Sequence, residues 1–175
     1  VNVTPDSFSG DGLLPASDGD QWLEEVVAQA CQFVSDGADV VDVGGESTRP
    51  GSKPVTVEEE LSRVIPAIRA VRAAVDAPIS VDTYRARVAA AALEAGADWV
   101  NDVWGLHMDS ELATVVASAS CPVVLMHNRS RPKDVEQEQR LGGRYTGIHY
   151  DDLLEDVRRE LMQSVELALK AGVQQ

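Results

Sequence analysis

The sequence has few basic residues and no long apolar run, and each shortage excludes a class of protein. Its 15 Lys and Arg residues are outnumbered by 29 Asp and Glu residues, which gives a formal net charge of −14. Nucleic acids and anionic membranes require clustered basic side chains, which this composition does not favour. No run approaches the roughly 18 apolar residues of a membrane span. We therefore expect no nucleic-acid partner and no membrane partner.

Cysteine is also scarce. Cys31 lies among apolar residues of a helical pattern, and Cys121 directly precedes an apolar run. Two cysteines in such settings do not make a disulfide framework. The first residues, VNVTPDSF, lack the basic and apolar segments of a secretory signal. We expect two buried thiols in a cytoplasmic protein.

Short apolar runs alternate with longer segments of helical periodicity. The runs are ADVVDV (38–43), PISVDT (78–83), DWVNDV (98–103) and PVVLMH (122–127), with VNV (1–3) as a possible strand end. Apolar residues at consecutive positions are typical of strands buried on both faces of a parallel sheet. Alternation of such strands with helices predicts an α/β fold built from βα units.

Five helices are predicted around these strands. They are 18–35, a helix that begins after a capping box at Thr56, 84–95, a helix capped by Asp109, and 151–171. Pro66 lies inside the second helix and predicts a kink or a break.

A repeated sequence motif indicates the number of βα units. GADVVDV (37–43) recurs as GADWVNDV (96–103), and AGV (171–173) begins the phrase again. We interpret residues 1–175 as one domain of about five βα units, truncated at both ends. Eight such units would form a TIM (β/α)8 barrel of about 250 residues.

Polar residues collect where the predicted strands end. They are Asn2, Asp42, Asp82, Asn101, Asp102, His127 and Asn128. In a βα barrel all strands end on one face, which carries the active site. One Asp at a strand end is more often a turn former, but a set from several strands favours a ligand site. Carboxylates and amides suit a flat heterocycle with adjacent N–H groups, such as a 2-amino-4-oxo-pyrimidine.

Two loops have a composition that suits anions. GGESTRPG (44–51) combines glycines, which expose backbone N–H groups, with hydroxyls and a guanidinium. NVTPDSFSGDG (2–12) is similar, with Phe8 as a candidate apolar lid. Surface loops rich in turn residues have the same composition, so composition alone leaves both interpretations open. The segment 128–150 has no clear period and is interpreted as a solvated loop, although its basic residues could contact an anion.

These segments resemble the dihydropteroate synthase family. The matching segments are NVTPDSFS (2–9), DVGGESTRPGS (42–52), EEELSRVIPAI (58–68), SVDTY (80–84), NDVWGL (101–106) and VLMH (124–127). They occur in the family's order and spacing across nearly the whole chain. The resemblance implies a barrel-shaped transferase of folate biosynthesis, targeted by sulfonamides. Such an enzyme joins p-aminobenzoate to 6-hydroxymethyl-7,8-dihydropterin diphosphate and releases diphosphate, and the full-length protein would be a homodimer.

The resemblance also implies roles for residues at the strand ends. Asn2 would ligate the Mg²⁺ that holds the diphosphate. Asp82 and Asn101 would bind the pterin edge, with Met126 as an apolar wall. Asp42 would hold the local network.

Further implied roles fall on the two loops. Thr48 and Arg49 would be catalytic residues near the diphosphate and p-aminobenzoate, and Thr48 would also bind substrate. Phe8 and Pro50 would help to form the aminobenzoate pocket.

The chain departs from the family pattern after the fourth apolar run. NRSRPKDVEQEQRLGG (128–143) stands where the family has a Gly-Pro-Met-Gln-like stretch. A later pterin carboxylate, a pterin-contacting Lys and a phosphate-gripping Arg-x-His are not found in the 175 residues. We therefore do not expect these residues alone to be active. Two alternatives are a pterin-binding methyltransferase domain that passes a methyl group to a corrinoid, and a non-catalytic pterin-binding paralogue. The intact loops disfavour both.

Overall fold

The structure, a computed structural model, describes residues 1–4, 21–47, 55–129 and 149–174. In chain order its helices and strands are α1 (Gln21–Ser35), β1 (Val41–Gly44), α2 (Val57–Ala74), β2 (Ile79–Asp82), α3 (Ala86–Ala95), β3 (Trp99–Asp102), α4 (Leu112–Ala119), β4 (Val123–Leu125) and α5 (Leu153–Ala171). Each of the four predicted apolar runs overlaps a strand, and β1 extends one residue beyond its run, to Gly44. The predicted alternation of strands and helices is confirmed.

The strands form a single parallel sheet in the order β1-β2-β3-β4. Beside β1, Asn2 forms an isolated parallel bridge with Gly44, and the Val3 amide donates to the Gly44 carbonyl at 2.8 Å. The predicted strand end at VNV is therefore present as a bridge at the edge of the sheet.

All the described helices that follow one another also pack against one another, from α1 to α5. Sequential strands with sequential helices place the helices on one face of the sheet, as in a βα barrel. A doubly wound sheet would place them on both faces. The strand residues on the helix side are fully buried and apolar: Val41, Val43, Ile79, Val81 and Val100. Because side chains alternate along a strand, the opposite face carries Asp42, Ser80, Asp82, Trp99 and Asn101.

Several helix ends follow from local sequence, but the predicted cap of α4 at Asp109 is wrong: the N-cap is Glu111, and the Asp109 carboxylate accepts from the Ala86 amide at 2.8 Å. The Glu59 amide donates to Thr56 Oγ1 at 3.1 Å, which confirms the predicted cap of α2. Gly96 ends α3 at φ 115°, a left-handed conformation that favours glycine. Helix α2 runs unbroken through Pro66, so the alternative of a break there is wrong. The buried stripe that includes Val64 and Ile68 supplies packing that outweighs the backbone hydrogen bond lost at the proline.

The two cysteines form no disulfide. Cys121 is partly buried, but Cys31 is exposed, so the expectation of two buried thiols is wrong for Cys31. Its neighbour Ala30 takes the core-facing position on α1. Within the described ranges, no helix combines the length and hydropathy that crossing a membrane requires.

Candidate functional site

The inner face of the sheet is polar where β2 and β3 end. Asp82 and Asn101 are paired in register on neighbouring strands, so their side chains lie on the same face. On the other side of Asp82 the register partner is Gly44, which bridges to Asn2. A Cβ atom at Gly44 would lie 3.3 Å from Asp82 Cβ and 3.4 Å from its Oδ2. The glycine therefore leaves space beside the carboxylate, between Asp82 and Asn2.

Asp82 has an unusual electrostatic environment. Burial, together with the nearby carboxylates of Asp42, Glu60 and Asp102, raises the pKa of Asp82 to about 7. Such a group is half protonated near neutral pH. A ligand that donates N–H groups to the ionised carboxylate would offset both causes, so the site favours a donor-rich ligand.

Asp42 lies one layer deeper on the same inner face, two residues before the end of β1. The Ser80 hydroxyl donates a hydrogen bond to Asp42 Oδ1. The Asn101 side-chain amide donates through Nδ2 to Asp42 Oδ2 at 3.3 Å. Asp42 thus connects β2 and β3 through the side chains of Ser80 and Asn101.

Met126 belongs to the same face. Val124 is the register partner of Asn101, and Met126 follows it by two residues, so both are on the inner side. Met126 is exposed there and offers an apolar surface at the end of β4. Four predicted residues, Asp42, Asp82, Asn101 and Met126, are therefore brought together.

Two other strand-end residues are not part of this set. Asp102 is buried on the helix side and accepts hydrogen bonds from the Trp104 amide at 2.9 Å and the Leu106 amide at 2.6 Å. His127 bonds to Glu160 of α5 at 2.8 Å. The prediction that all strand-end polar residues face one ligand is wrong for these two. Each directly follows an inward-facing residue, and alternation turns it to the other face.

A buried ionic cluster lies behind the Asp82 site, and the sequence interpretation missed it. Glu60 of α2 is 1% exposed, accepts from Thr83 Oγ1 at 2.7 Å and is bonded by Arg85. Arg85 Nη1 also lies 2.6 Å from Glu46 Oε2, and its Nη2 donates to the Val55 carbonyl at 2.9 Å. A signal was present, because Glu60 precedes Val64 and Ile68 in the apolar stripe of α2, where an acid is unusual.

Arg85 therefore contacts residues on both sides of the segment 48–54. Glu46 precedes that segment and Val55 follows it. Burial raises the pKa of the Glu46 carboxyl, although Arg85 opposes the shift. The Tyr84 ring stacks under the Arg85 guanidinium, 4.5 Å from its centre, and burial raises the pKa of Tyr84 to about 12. The predicted residues Thr48, Arg49 and Pro50, and also Phe8, lie outside the described residues.

A second cluster joins both sides of the segment 130–148. Arg129 Nε donates to Glu160 at 2.8 Å and 3.1 Å, and Arg129 Nη1 donates to the His149 carbonyl. The guanidinium lies 4.0 Å from the centre of the Tyr150 ring. Hydrogen bonds from Arg129 and His127 lower the pKa of Glu160 to about 2. A cavity of about 350 Å³ lies beside this cluster, bordered by the residues that directly follow β4, by α5 and by the turn after β3.

The sequence and fold match known proteins along nearly all of the chain. The family model described as pterin binding enzyme matches residues 1–175. Dihydropteroate synthase of Bacillus subtilis is 43% identical over 173 residues, which cover 99% of this chain and 53% of the relative. A solved structure of dihydropteroate synthase from Clostridium difficile, determined in the presence of pteroic acid, is 40% identical with a TM-score of 0.81. That match covers 99% of this chain and 58% of the solved one.

A third match is the Yersinia pestis dihydropteroate synthase in a sulfonamide drug complex. It is 36% identical with a TM-score of 0.82, and the match covers 99% of this chain and 57% of the other. The chain thus spans a little over half the length of these relatives. The fold predicted from the alternating strands and helices is confirmed as that of an incomplete βα barrel.

Proposed function

Because the chain belongs to the pterin-binding enzyme family, we propose that it contributes the pterin site of a dihydropteroate synthase. This enzyme is a transferase of folate biosynthesis that condenses p-aminobenzoate with 6-hydroxymethyl-7,8-dihydropterin diphosphate. One observation carries the proposal: Asp82 and Asn101 lie in register at the ends of neighbouring strands, beside the space left by Gly44. The names of the relatives at about 40% identity support it.

The proposed chemistry follows from the donors and acceptors of the site. Asp82 and the Asn101 amide oxygen would accept pterin N–H groups, and Met126 would contact the ring. An electron-rich pterin can bear the positive charge that forms at its methylene carbon as the C–O bond to diphosphate breaks. The aminobenzoate nitrogen then forms the new bond and loses a proton. The protein mainly positions the two substrates and excludes water.

We propose that Mg²⁺ assists by neutralising the departing diphosphate. Asn2 would hold it, because its amide carbonyl is a hard oxygen and the residue is exposed beside Gly44 at the rim of the site. Among the described residues, no three His, Cys, Asp or Glu side chains could hold a metal ion together. A single amide oxygen from Asn2 fits Mg²⁺, which typically has one or two protein ligands together with phosphate oxygens.

The remaining roles are proposals from the family resemblance. Thr48 and Arg49 would be the catalytic residues, while Phe8 and Pro50 would border p-aminobenzoate. We also propose that residues 1–175 are part of a longer barrel whose other units complete the site, supported by the length of the relatives. The full-length protein would be a cytoplasmic homodimer. The two free cysteines support a reducing compartment, and sedimentation of the full-length protein tests the dimer.

Calorimetry on an Asp82→Asn variant tests the pterin site. In the full-length protein, this change places an N–H donor against a pterin N–H group. We expect a loss of roughly 2–4 kcal/mol in binding of the pterin diphosphate. Glu111→Gln, on the exposed turn before α4, is the matched control and should bind normally. Equal affinity for the Asp82→Asn variant and the wild type would refute the assignment.

Removal of the metal tests the role of Asn2. EDTA should abolish turnover by the full-length protein, and added Mg²⁺ should restore it. An Asn2→Ala variant should require more Mg²⁺ for half-maximal activity than the wild type. The methyltransferase alternative would not require the Asn2 site, so turnover that resists EDTA would contradict this part of the proposal.

A further inference from the structure

Ser80 is a buried hydroxyl on the inner face of the sheet, and neither the sequence interpretation nor the proposed function assigns it a role. It is 4% exposed and is the register partner of Asp42. Its Oγ donates to Asp42 Oδ1, while the Asn101 amide donates to Asp42 Oδ2 at 3.3 Å. The three side chains thus form one chain of hydrogen bonds across β1, β2 and β3.

This arrangement determines which end of the Asn101 amide meets a ligand. A carboxylate only accepts hydrogen bonds, so the amide NH₂ group must face Asp42. The amide oxygen is then left as the acceptor, on the same face as the register partner Asp82. Both groups at the end of β2 and β3 are therefore acceptors. An inverted amide would place its oxygen against the Asp42 carboxylate and would present a donor to the ligand.

We propose that Ser80, acting through Asp42, is a positioning residue that holds the Asn101 amide oxygen toward the pterin. The inference rests on the proposed function, because it assumes that a pterin with N–H donors occupies this face. Ser80 itself would not touch the ligand. Without the Ser80 hydroxyl, Asp42 Oδ1 loses this donor and the carboxylate can rotate about the Cβ–Cγ bond. The Asn101 amide can then invert, and one acceptor of the site is lost.

The first test is calorimetry of the full-length protein with 6-hydroxymethyl-7,8-dihydropterin diphosphate. Ser80→Ala should bind it about tenfold more weakly, since one hydrogen bond to a charged group is removed. Ser80→Thr retains the hydroxyl and should bind within about twofold of the wild type. Ser62→Ala removes an exposed hydroxyl on α2 and is the control that should bind normally.

A double-mutant cycle with Asn101→Ala shows whether Ser80 acts through that residue. In the Asn101→Ala background, Ser80→Ala should cause no further loss of affinity, because the amide that it positions is absent. Losses that multiply in the double variant would overturn the inference. Should Ser80→Ala not fold, Ser80→Cys keeps the volume with a far weaker donor and should show the same tenfold loss.

The outcomes separate this inference from the function on which it rests. Wild-type affinity in Ser80→Ala, together with weakened binding in Asp82→Asn, would refute only the role of Ser80. A wild-type protein that binds no pterin diphosphate would refute the proposed function itself.

Discussion

Two arginines of this chain each pair with a helix glutamate beside a long connecting segment, but the two pairs differ in burial. Arg85 contacts residues on both sides of the segment 48–54, and Arg129, which directly precedes the segment 130–148, contacts His149 and Glu160 after it. Each is bonded to a glutamate of a neighbouring helix, Glu60 for Arg85 and Glu160 for Arg129. The side chains of Arg85 and Glu60 are 13% and 1% exposed, whereas those of Arg129 and Glu160 are 21% and 25% exposed.

The comparison indicates that burial, more than the number of hydrogen bonds, decides how much each cluster contributes to the free energy of unfolding. Removal of one partner from a buried pair leaves an uncompensated charge, which costs much more than the pair itself contributes. Near the surface, water replaces the lost partner and the cost is small. Substitutions in the cluster beside the proposed pterin site should therefore cost much stability, and substitutions in the cluster beside β4 should cost little.

The largest expected effect is on the Arg85 side. Arg85→Met should lower the free energy of unfolding of the full-length protein by about 3–5 kcal/mol, because Glu60 stays buried without its partner. The double variant Arg85→Met with Glu60→Met should recover only the part of that loss that comes from Glu60, because Glu46 still lacks Arg85. Denaturant unfolding measures both. A single variant that loses less than about 1 kcal/mol would show that the two clusters do not differ as burial requires.

The next effect concerns pH, because the carboxyls beside the two clusters are shifted in opposite directions. Burial raises the pKa of Asp82 to about 7, so the native state holds a proton that the unfolded state releases near pH 4. Stability from this group is present below about pH 4 and is lost as the pH rises to about 7. Wild-type protein should therefore lose stability relative to Asp82→Asn between pH 5 and 8, by an amount on the order of 1–3 kcal/mol. A constant difference across that range would contradict the raised pKa.

Pterin affinity should respond to the same proton in the opposite sense. Pterin N–H groups bond to the ionised carboxylate, so binding should strengthen as the pH rises from about 5 to about 7 and then level off. Calorimetry at several pH values measures it, with Asp82→Asn as the control that lacks the titration. Affinity that falls across this range would show that the protonated carboxyl is the binding form.

The smallest effects are expected on the Arg129 side. The pKa of Glu160 is lowered to about 2, so the pairing with Arg129 contributes above the ordinary glutamate pKa and is lost only as the pH falls to about 2. Arg129→Met should lower the unfolding free energy by less than a third of the Arg85→Met effect, since solvent reaches Glu160 and the buried Asp156 keeps Arg159 as a partner. Parallel denaturation curves for the two variants measure the ratio. Arg87→Lys, in an exposed pair with Glu58, should change nothing measurable and provides the baseline.

Much of the fold could be predicted from the chain itself, because local physics determines it. The consecutive apolar residues of 38–43 and 98–103 identified buried parallel strands, and Thr56 and Gly96 marked helix ends that the structure confirms. The site was predicted in part, since Asp42, Asp82, Asn101 and Met126 lie on one face. Asp102 and His127 were wrongly included with them. A one-residue step along a strand reverses the face of a side chain, and the strand ends could not be located that finely.

What the sequence by itself determined is therefore the order of elements, the family and the residue types at the strand ends. Only the tertiary structure decided which carboxylates meet. Glu60 and Arg85 are 25 residues apart in the chain, and Ser80 and Asp42 are 38 apart, yet each pair is hydrogen-bonded. No local sequence pattern indicates that residues so far apart in the chain will meet. Parallel register brings Ser80 to Asp42, and the packing of α2 on the sheet brings Glu60 to Arg85. Burial of a charge costs free energy, so a buried carboxylate is tolerated only where a partner is within reach.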